Sequence, residues 1–307
     1  MSARLVVTAK DPVADGVVAL TLARRDGARL PDWTPGAHVD LTLGDGTTRQ
    51  YSLCGDRWDP SSYRVAVLRE PAGRGGSAYV HDRLAVGDEV GFGGPRNHFP
   101  LVPAARYRFV AGGIGITPLL PMIRTAEIVG ADWALLYGGR SRRSMAFTDE
   151  LTDPRVQVVP QDEAGLLPLR GWLGPPRDDT VVYCCGPSPL LAAVEEATAG
   201  HRLHTERFAV TEVAPPVRDE PFTVELARTG TRVVVDAATT VLEAARRAGA
   251  TTLSSCERGT CGTCETTVLA GVPDHRDQIL ADHERAAGDC MLPCVSRAAS
   301  DHLVLDL

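Results

Sequence analysis

The sequence predicts a multidomain chain: an antiparallel β-barrel, then a parallel α/β domain, then a smaller domain built round four cysteines. Three observations carry this expectation. Up to about residue 103, short runs alternate apolar and polar residues between turn signals. From about Arg106 the pattern becomes strand, glycine loop, helix and strand. Beyond a proline-rich stretch, Cys256, Cys261, Cys264 and Cys294 stand in C-x4-C-x2-C…C spacing. The expected boundaries are 1–103, 104–213 and 222–307, with 214–221 as a linker.

The barrel rests on runs such as Leu5-Val6-Val7-Thr8, Val17-Val18-Ala19-Leu20-Thr21-Leu22 and Val39-Asp40-Leu41-Thr42-Leu43. Gly44-Asp45-Gly46 reads as the hairpin turn into Arg49-Gln50-Tyr51-Ser52-Leu53. Several strands at this spacing suggest closure into a barrel. If that segment edges a flavin pocket, Tyr51 packs on or beside the ring, Ser52 reaches its reactive edge and Arg49 neutralises a phosphate. An ordinary strand with one outward arginine would read the same. Gly73-Arg74-Gly75-Gly76-Ser77 precedes a helix expected from Ala78 to Leu84, so its N–H groups and the Ser77 hydroxyl form a candidate anion cradle.

In the α/β domain a strand from Tyr107 to Ala111 leads into Gly112-Gly113-Ile114-Gly115-Ile116-Thr117, a helix opened by Pro118, and a strand from Trp133 to Tyr137. That context lets glycines bring backbone close to a pyrophosphate. The third glycine of the dinucleotide fingerprint is absent and Thr117-Pro118 stands in its place, so this is not the usual dehydrogenase motif. A second marker, Tyr183-Cys184-Cys185-Gly186-Pro187-Ser188, ends an apolar strand ahead of a helix. Cys184 and Cys54 read as small apolar fillers. After the second strand, Gly138-Gly139-Arg140-Ser141-Arg142-Arg143 offers three arginines to the extra phosphate of NADPH, to other adenosine phosphates or to solvent; no carboxylate adjoins them to exclude a 2′-phosphate.

The prolines and charges of Ala214-Pro215-Pro216-Val217-Arg218-Asp219-Glu220-Pro221 mark a semi-rigid linker. A hairpin follows, with Phe222, Val224 and Leu226 returning as Val233 to Val235. Thr240 caps a short helix from Val241 to Ala248, stopped by Gly249, and the cysteine loop comes next. Gly259 and Gly262 let that loop wrap tightly round sulfur. The spacing is that of a plant-type 2Fe–2S cluster. A structural zinc site usually pairs its thiolates as two C-x2-C knuckles, whereas here one arm is a triplet and the other a single distant cysteine. Cys290, four residues before Cys294, competes as fourth ligand.

Composition sets outer limits. With 307 residues, 44% of them hydrophobic, the chain can bury two or three ordinary cores. No apolar run reaches the roughly eighteen residues a membrane span needs, and no charged-then-apolar leader opens the sequence. Eight cysteines in such a chain point to a reducing cytoplasm rather than a disulfide framework. A net charge of −7 argues against nucleic acid.

With Met291-Leu292-Pro293-Cys294-Val295-Ser296-Arg297, the cysteine loop resembles the plant-type ferredoxin domain that ends the phthalate dioxygenase reductase family, whose members include reductase subunits of the vanillate demethylase kind. The Arg-x-Tyr-Ser-Leu and Gly-Gly-Ser segments resemble the flavin domain of the wider ferredoxin reductase superfamily. Trp33-Thr34-Pro35-Gly36-Ala37-His38 and Gly94-Pro95-Arg96-Asn97 are similar to the phthalate dioxygenase reductase branch. The likeness covers essentially the whole chain. It implies FMN in the barrel, a nicotinamide nucleotide on the α/β domain and an α+β, β-grasp ferredoxin domain. It also implies that the fourth ligand is Cys294, because the family's ligand precedes a Val-Ser-Arg segment. Thr117 and Cys185, in a Cys-Gly-Pro with Gly186 and Pro187, then lie at the nicotinamide, and Phe208, in Glu206-Arg207-Phe208, covers the flavin unless it is simply core. NADH is slightly favoured over NADPH. The function implied is a reductase passing electrons from NAD(P)H through FMN and the cluster to a separate Rieske-type aromatic oxygenase or O-demethylase, since the chain has no Rieske pattern and its eight histidines form no metal spacing. The alternatives are a reductase for a haem-thiolate monooxygenase and, from another class, a redox-sensing binding protein. A monomer is expected.

Overall fold

A computed structural model of the chain describes residues 3–71, 73–208 and 215–307. Ala214, the first residue of the expected linker, and 209–213, the end of the expected nucleotide domain, lie outside the described residues.

The alternating runs become β1 (Ala3–Ala14), β2 (Val17–Ala23), β3 (His38–Thr42), β4 (Thr48–Ser52), β5 (Ser62–Leu68) and, after helix α1 (Gly76–Asp82), β6 (Glu89–Arg96). They form one antiparallel sheet in the order β4-β3-β6-β1-β2-β5. Its two ends meet where Leu53 bridges Val65 and the Cys54 N–H donates to the Arg64 carbonyl at 2.9 Å. The sheet thus closes into a barrel with no free edge between β4 and β5. Leu5, Val7, Leu20, Leu22, Val39 and Leu41 fill its interior, each burial contributing roughly 1.5–3 kcal/mol. Helix α1 begins two residues before the expected Ala78. Gly75, at φ +83°, turns the chain through the left-handed region and leaves Gly76 as the first helical residue.

The second sheet comprises β7 (Arg106–Gly112), β8 (Asp132–Gly139), β9 (Val156–Pro160), β10 (Thr180–Gly186) and β11 (Arg202–Arg207). Helices α2 (Leu119–Ile128), α3 (Gln161–Ala164), α4 (Leu169–Leu173) and α5 (Ser188–Ala197) connect them. All pairs are parallel, in the order β11-β10-β7-β8-β9. Every residue of β10 is buried, as a strand covered on both faces requires. The connections reverse direction between β7 and β10, which opens a crevice at their carboxyl ends. Into it runs the 3-10 turn Gly113–Ile116.

Barrel and parallel sheet are not separate bodies. Val17, Ala19, Cys54, Ala66 and Phe99 belong to the same apolar cluster as Phe109, Leu119, Met122 and Tyr183. The Tyr183 hydroxyl donates to the Pro100 carbonyl at 2.9 Å and accepts from the Val102 N–H at 2.7 Å, pinning β10 to the connecting segment. The chain accordingly divides into two compact units, Met1–Phe208 and Ala209–Leu307.

The second unit contains β12 (Phe222–Leu226), β13 (Thr231–Val235), helix α6 (Val241–Arg247), β14 (Thr266–Ala270), β15 (Pro273–Asp274), helix α7 (Asp282–Ala287), β16 (Cys290–Met291), β17 (Arg297–Ala298) and β18 (His302–Leu305). Five strands make a mixed sheet, β13-β12-β18-β14-β16, in which β12 and β18 run parallel. Helix α6 is held by a capping box: the Glu243 N–H donates to Thr240 Oγ1 at 3.1 Å and the Thr240 N–H to Glu243 Oε2 at 3.2 Å. Val241, Ala244 and Ala245 on its inner face pack with Phe222, Val224, Leu303 and Leu305, so the sheet grips one helix. Among the described residues no helix is long and apolar enough to cross a membrane.

Candidate cofactor sites

The cysteine loop lies between α6 and β14. Three left-handed residues fold it back on itself: Glu257 at φ +53°, Gly259 at +71° and Gly262 at +68°. Gly259 has no room for a side chain, because a Cβ there would stand 2.6 Å from Val295 Cγ2. Cys261, Cys264 and Cys294 are buried and Cys256 is half-buried. The thiols meet as two contacting pairs, Cys256 with Cys261 and Cys264 with Cys294. The Cys261 thiol holds Cys256 down to about 5, and Cys294 lowers Cys264; the donors Cys261 and Cys294 move upward in return. The Arg258 N–H donates to Cys256 Sγ at 3.3 Å. A two-iron cluster takes two thiolates on each iron. The pairs fit the cluster. Cys290 lies half-buried on β16 opposite Thr267 and packs against the apolar cluster that includes Cys264 and Cys294; burial pushes its thiol up to about 11.

At the end of β4 the barrel brings Arg49 to Gly76. A Cβ on Gly76 would fall 2.6 Å from Arg49 Cγ and 2.7 Å from Nε, so the arginine lies directly across the helix start. Arg49 Nη2 also donates to the Arg74 carbonyl at 2.8 Å. Arg49 thus lies beside the Arg74 main chain and Gly76, while the Ser77 oxygen accepts the Glu70 N–H at 3.1 Å. Gln50 and Tyr51 are half-buried, Ser52 is buried, and Leu53 closes the barrel. Burial pushes the Tyr51 phenol upward, so it stays protonated at physiological pH. A cationic cradle beside a neutral aromatic strand suits a flavin phosphate and its ring.

In the crevice of the parallel sheet two glycine-bearing strand ends abut. A Cβ on Gly115 would lie 2.3 Å from the Cys185 carbonyl oxygen, and one on Gly112 would lie 2.6 Å from Leu190 Cδ2 and 2.7 Å from Pro187 Cδ. Gly186 would meet Gly112 at 3.1 Å. Such close contact leaves no room for a side chain on these glycines. Gly113 takes φ +53°, and its carbonyl accepts the buried Tyr137 hydroxyl at 3.1 Å. Buried Thr117 donates to the Ile114 carbonyl at 2.9 Å, tightening the turn ahead of Pro118 and α2. Arg140 and Ser141 follow the end of β8, whose Gly138 pairs with Gly112, and Ser141 is tied to Ser144. Phe208, 46% exposed, follows β11 and is not core.

Glu206 was missed as a single residue. In β11 it is the register partner of Cys185 in β10, and its Oε2 lies 3.8 Å from Cys185 Sγ. Burial pushes its carboxyl up to about 8, and burial and this carboxylate together raise the Cys185 thiol well above its ordinary value. The signal available in the sequence was an acidic residue two positions before the strand-end aromatic.

Residues 224–299 match the 2Fe-2S iron-sulfur cluster binding domain. Over 303 residues the chain is 44% identical to phenoxybenzoate dioxygenase subunit beta of Ectopseudomonas oleovorans, covering 96% of this chain and 94% of that one. It is 37% identical to the solved phthalate dioxygenase reductase, described as modular for electron transfer from pyridine nucleotides to a 2Fe–2S centre, with a TM-score of 0.73 over 100% of this chain and 98% of that one. An intact type IV self-sufficient cytochrome P450 monooxygenase is 45% identical with a TM-score of 0.92; all of this chain matches, but it spans only 41% of that protein. Fold and sites together define a flavin- and iron–sulfur-dependent oxidoreductase that draws electrons from a nicotinamide nucleotide. Within that class the chain belongs to the phthalate dioxygenase reductase family.

Proposed function

We propose that this chain is the reductase component of a two-protein system, taking electrons from NAD(P)H through FMN and a plant-type 2Fe–2S cluster to a separate Rieske-type aromatic oxygenase or O-demethylase. One observation carries the choice of partner: a relative of nearly equal length is named as a subunit of a dioxygenase, which supports an oxygenase on another polypeptide. The bound cofactors supply the redox chemistry, accepting a pair of electrons and releasing them singly. The residues of the chain place them. Arg49, Arg74, Gly75, Gly76 and Ser77 hold the FMN phosphate, while Gln50, Tyr51, Ser52 and Leu53 line the ring. Gly112, Gly113, Gly115 and Pro118 admit the nucleotide backbone, and Thr117, Cys185, Gly186, Pro187 and Phe208 shape the nicotinamide end. Arg140 and Ser141 face the adenosine end. Cys256 and Cys261 hold one iron, Cys264 and Cys294 the other. Glu206 keeps a proton beside Cys185 at neutral pH, so no buried charge faces the nicotinamide.

The working domains are 1–103 for FMN, 104–213 for NAD(P)H and 222–307 for the cluster, joined by the linker 214–221. The protein acts as a monomer in the cytoplasm, the compartment that supplies NAD(P)H and keeps thiols reduced. A haem-thiolate monooxygenase is the second acceptor, supported by the full-length likeness to the reductase part of a fused P450. Anaerobic addition of NADH to purified protein should bleach flavin and cluster bands together. Turnover reconstituted with a Rieske oxygenase supports the first acceptor. Turnover only with a P450 selects the second, and a colourless, zinc-containing protein ends both.

A further inference from the structure

The arginines after β8 look, in sequence, like an open invitation to a 2′-phosphate. Two are already met by carboxylates from distant segments. Arg142 Nη2 lies 3.3 Å from Glu163 Oε2 on α3. Arg143 Nε lies 3.1 Å from Asp15 Oδ2 in the turn between β1 and β2. The second pair is fastened through main chain as well, the Asp15 N–H donating to the Arg143 carbonyl at 2.8 Å. The Asp162 N–H donates to the Arg140 carbonyl at 3.1 Å, which holds α3 and its Glu163 against the loop. Arg140 is exposed and forms no ion pair among the described residues. In a parallel sheet with a glycine loop after its first strand, the adenosine ribose lies over the end of the next strand, where an acidic group favours a 2′-hydroxyl and arginine a 2′-phosphate.

We propose that Asp15 and Glu163 are specificity-determining residues. By occupying Arg143 and Arg142 they weaken the hold of this end of the site on a 2′-phosphate, and so tilt the protein toward NADH. The assignment rests on Gly112 to Thr117 holding a nicotinamide nucleotide. Asp15 belongs to the barrel, so the flavin-binding part of the chain takes a share in choosing the electron donor. Both pairs are solvent-accessible, Arg142 and Glu163 at 55% and 53% and Arg143 and Asp15 at 83% and 61%, so each contributes modestly and salt screens it.

The test is stopped-flow flavin reduction by NADH and by NADPH in the holoprotein, in Glu163→Gln, in Asp15→Asn and in the double variant, with calorimetric Kd values for 2′,5′-ADP and 5′-ADP. Each single change should raise the NADPH-to-NADH ratio of kcat/KM about three- to fivefold, and the double change roughly tenfold. The Kd of 2′,5′-ADP should fall by a similar factor while that of 5′-ADP does not follow, and the gain should shrink at about 0.5 M salt. Glu163→Asp should restore the ratio. An unchanged ratio in a double variant that still binds 5′-ADP overturns the role of the carboxylates. If neither nucleotide reduces the flavin of the parent protein, the nucleotide assignment itself has failed, and the carboxylates fall with it.

Discussion

The cysteine loop of the second unit and the glycine-lined crevice of the first do comparable work with opposite materials. The loop offers side chains: four sulfurs in two pairs, with Gly259 and Gly262 at left-handed φ to fold it and Val295 pressing against Gly259. The crevice offers main chain, and its glycines are defined by what they lack, as with Gly115 against the Cys185 carbonyl. A side-chain site should therefore fail when an atom type changes, and a main-chain site when volume is added.

The largest effect should come from the loop. Cys294→Ser should remove the cluster, dropping iron from about two atoms per chain toward none, while Cys290→Ser leaves iron content and visible absorbance as they were. The reverse result would exchange their roles. Next is the crevice: Gly115→Ala would place a methyl 2.3 Å from a carbonyl oxygen. It should slow NADH-driven flavin reduction on the order of 100-fold with iron content unchanged. Loss of both cofactors together would mean that the two sites do not fail independently.

Glu206 tests a side chain hidden within the main-chain site. Its carboxyl is raised from an ordinary 4.5 to about 8 in the folded state, so the native protein holds a proton that the unfolded chain releases. Its contribution to stability is then greatest below 4.5 and is lost as pH climbs toward 8. Thermal unfolding followed by calorimetry should show the melting temperature falling across that range, and Glu206→Gln should flatten the slope. An identical slope in the variant assigns it to other groups. The smallest effect should be Thr240→Ala. Losing one half of the capping box costs about 1 kcal/mol, which urea unfolding should detect in the second unit while the first is unaltered.

Legibility followed the same divide. The cysteine triplet of the loop, the turn at Gly44-Asp45-Gly46 and the cap at Thr240 are local patterns, and a few neighbouring letters specify each. The pairing of Cys185 with Glu206 is not local, because it exists only when β10 and β11 align in register. Asp15 and Glu163 were hidden for the same reason: the absence of a carboxylate next to Arg140 to Arg143 was true in sequence and false in space. The start of α1 was displaced because Gly75 resembles any loop glycine until its positive φ is known. Membership of a common core leaves no periodic mark in either partner, so the fusion of barrel and parallel sheet into one body was not visible either.

That fusion bears on how such a protein can be recombined. A cut after residue 103 would strip Phe99, Ala66 and Val17 from Tyr183 and Leu119 and leave two greasy faces in water. A cut after Phe208 crosses between compact bodies. Gene exchange, natural or in the laboratory, should therefore move the first 208 residues as a single inherited cassette and treat the iron–sulfur part as an interchangeable plug.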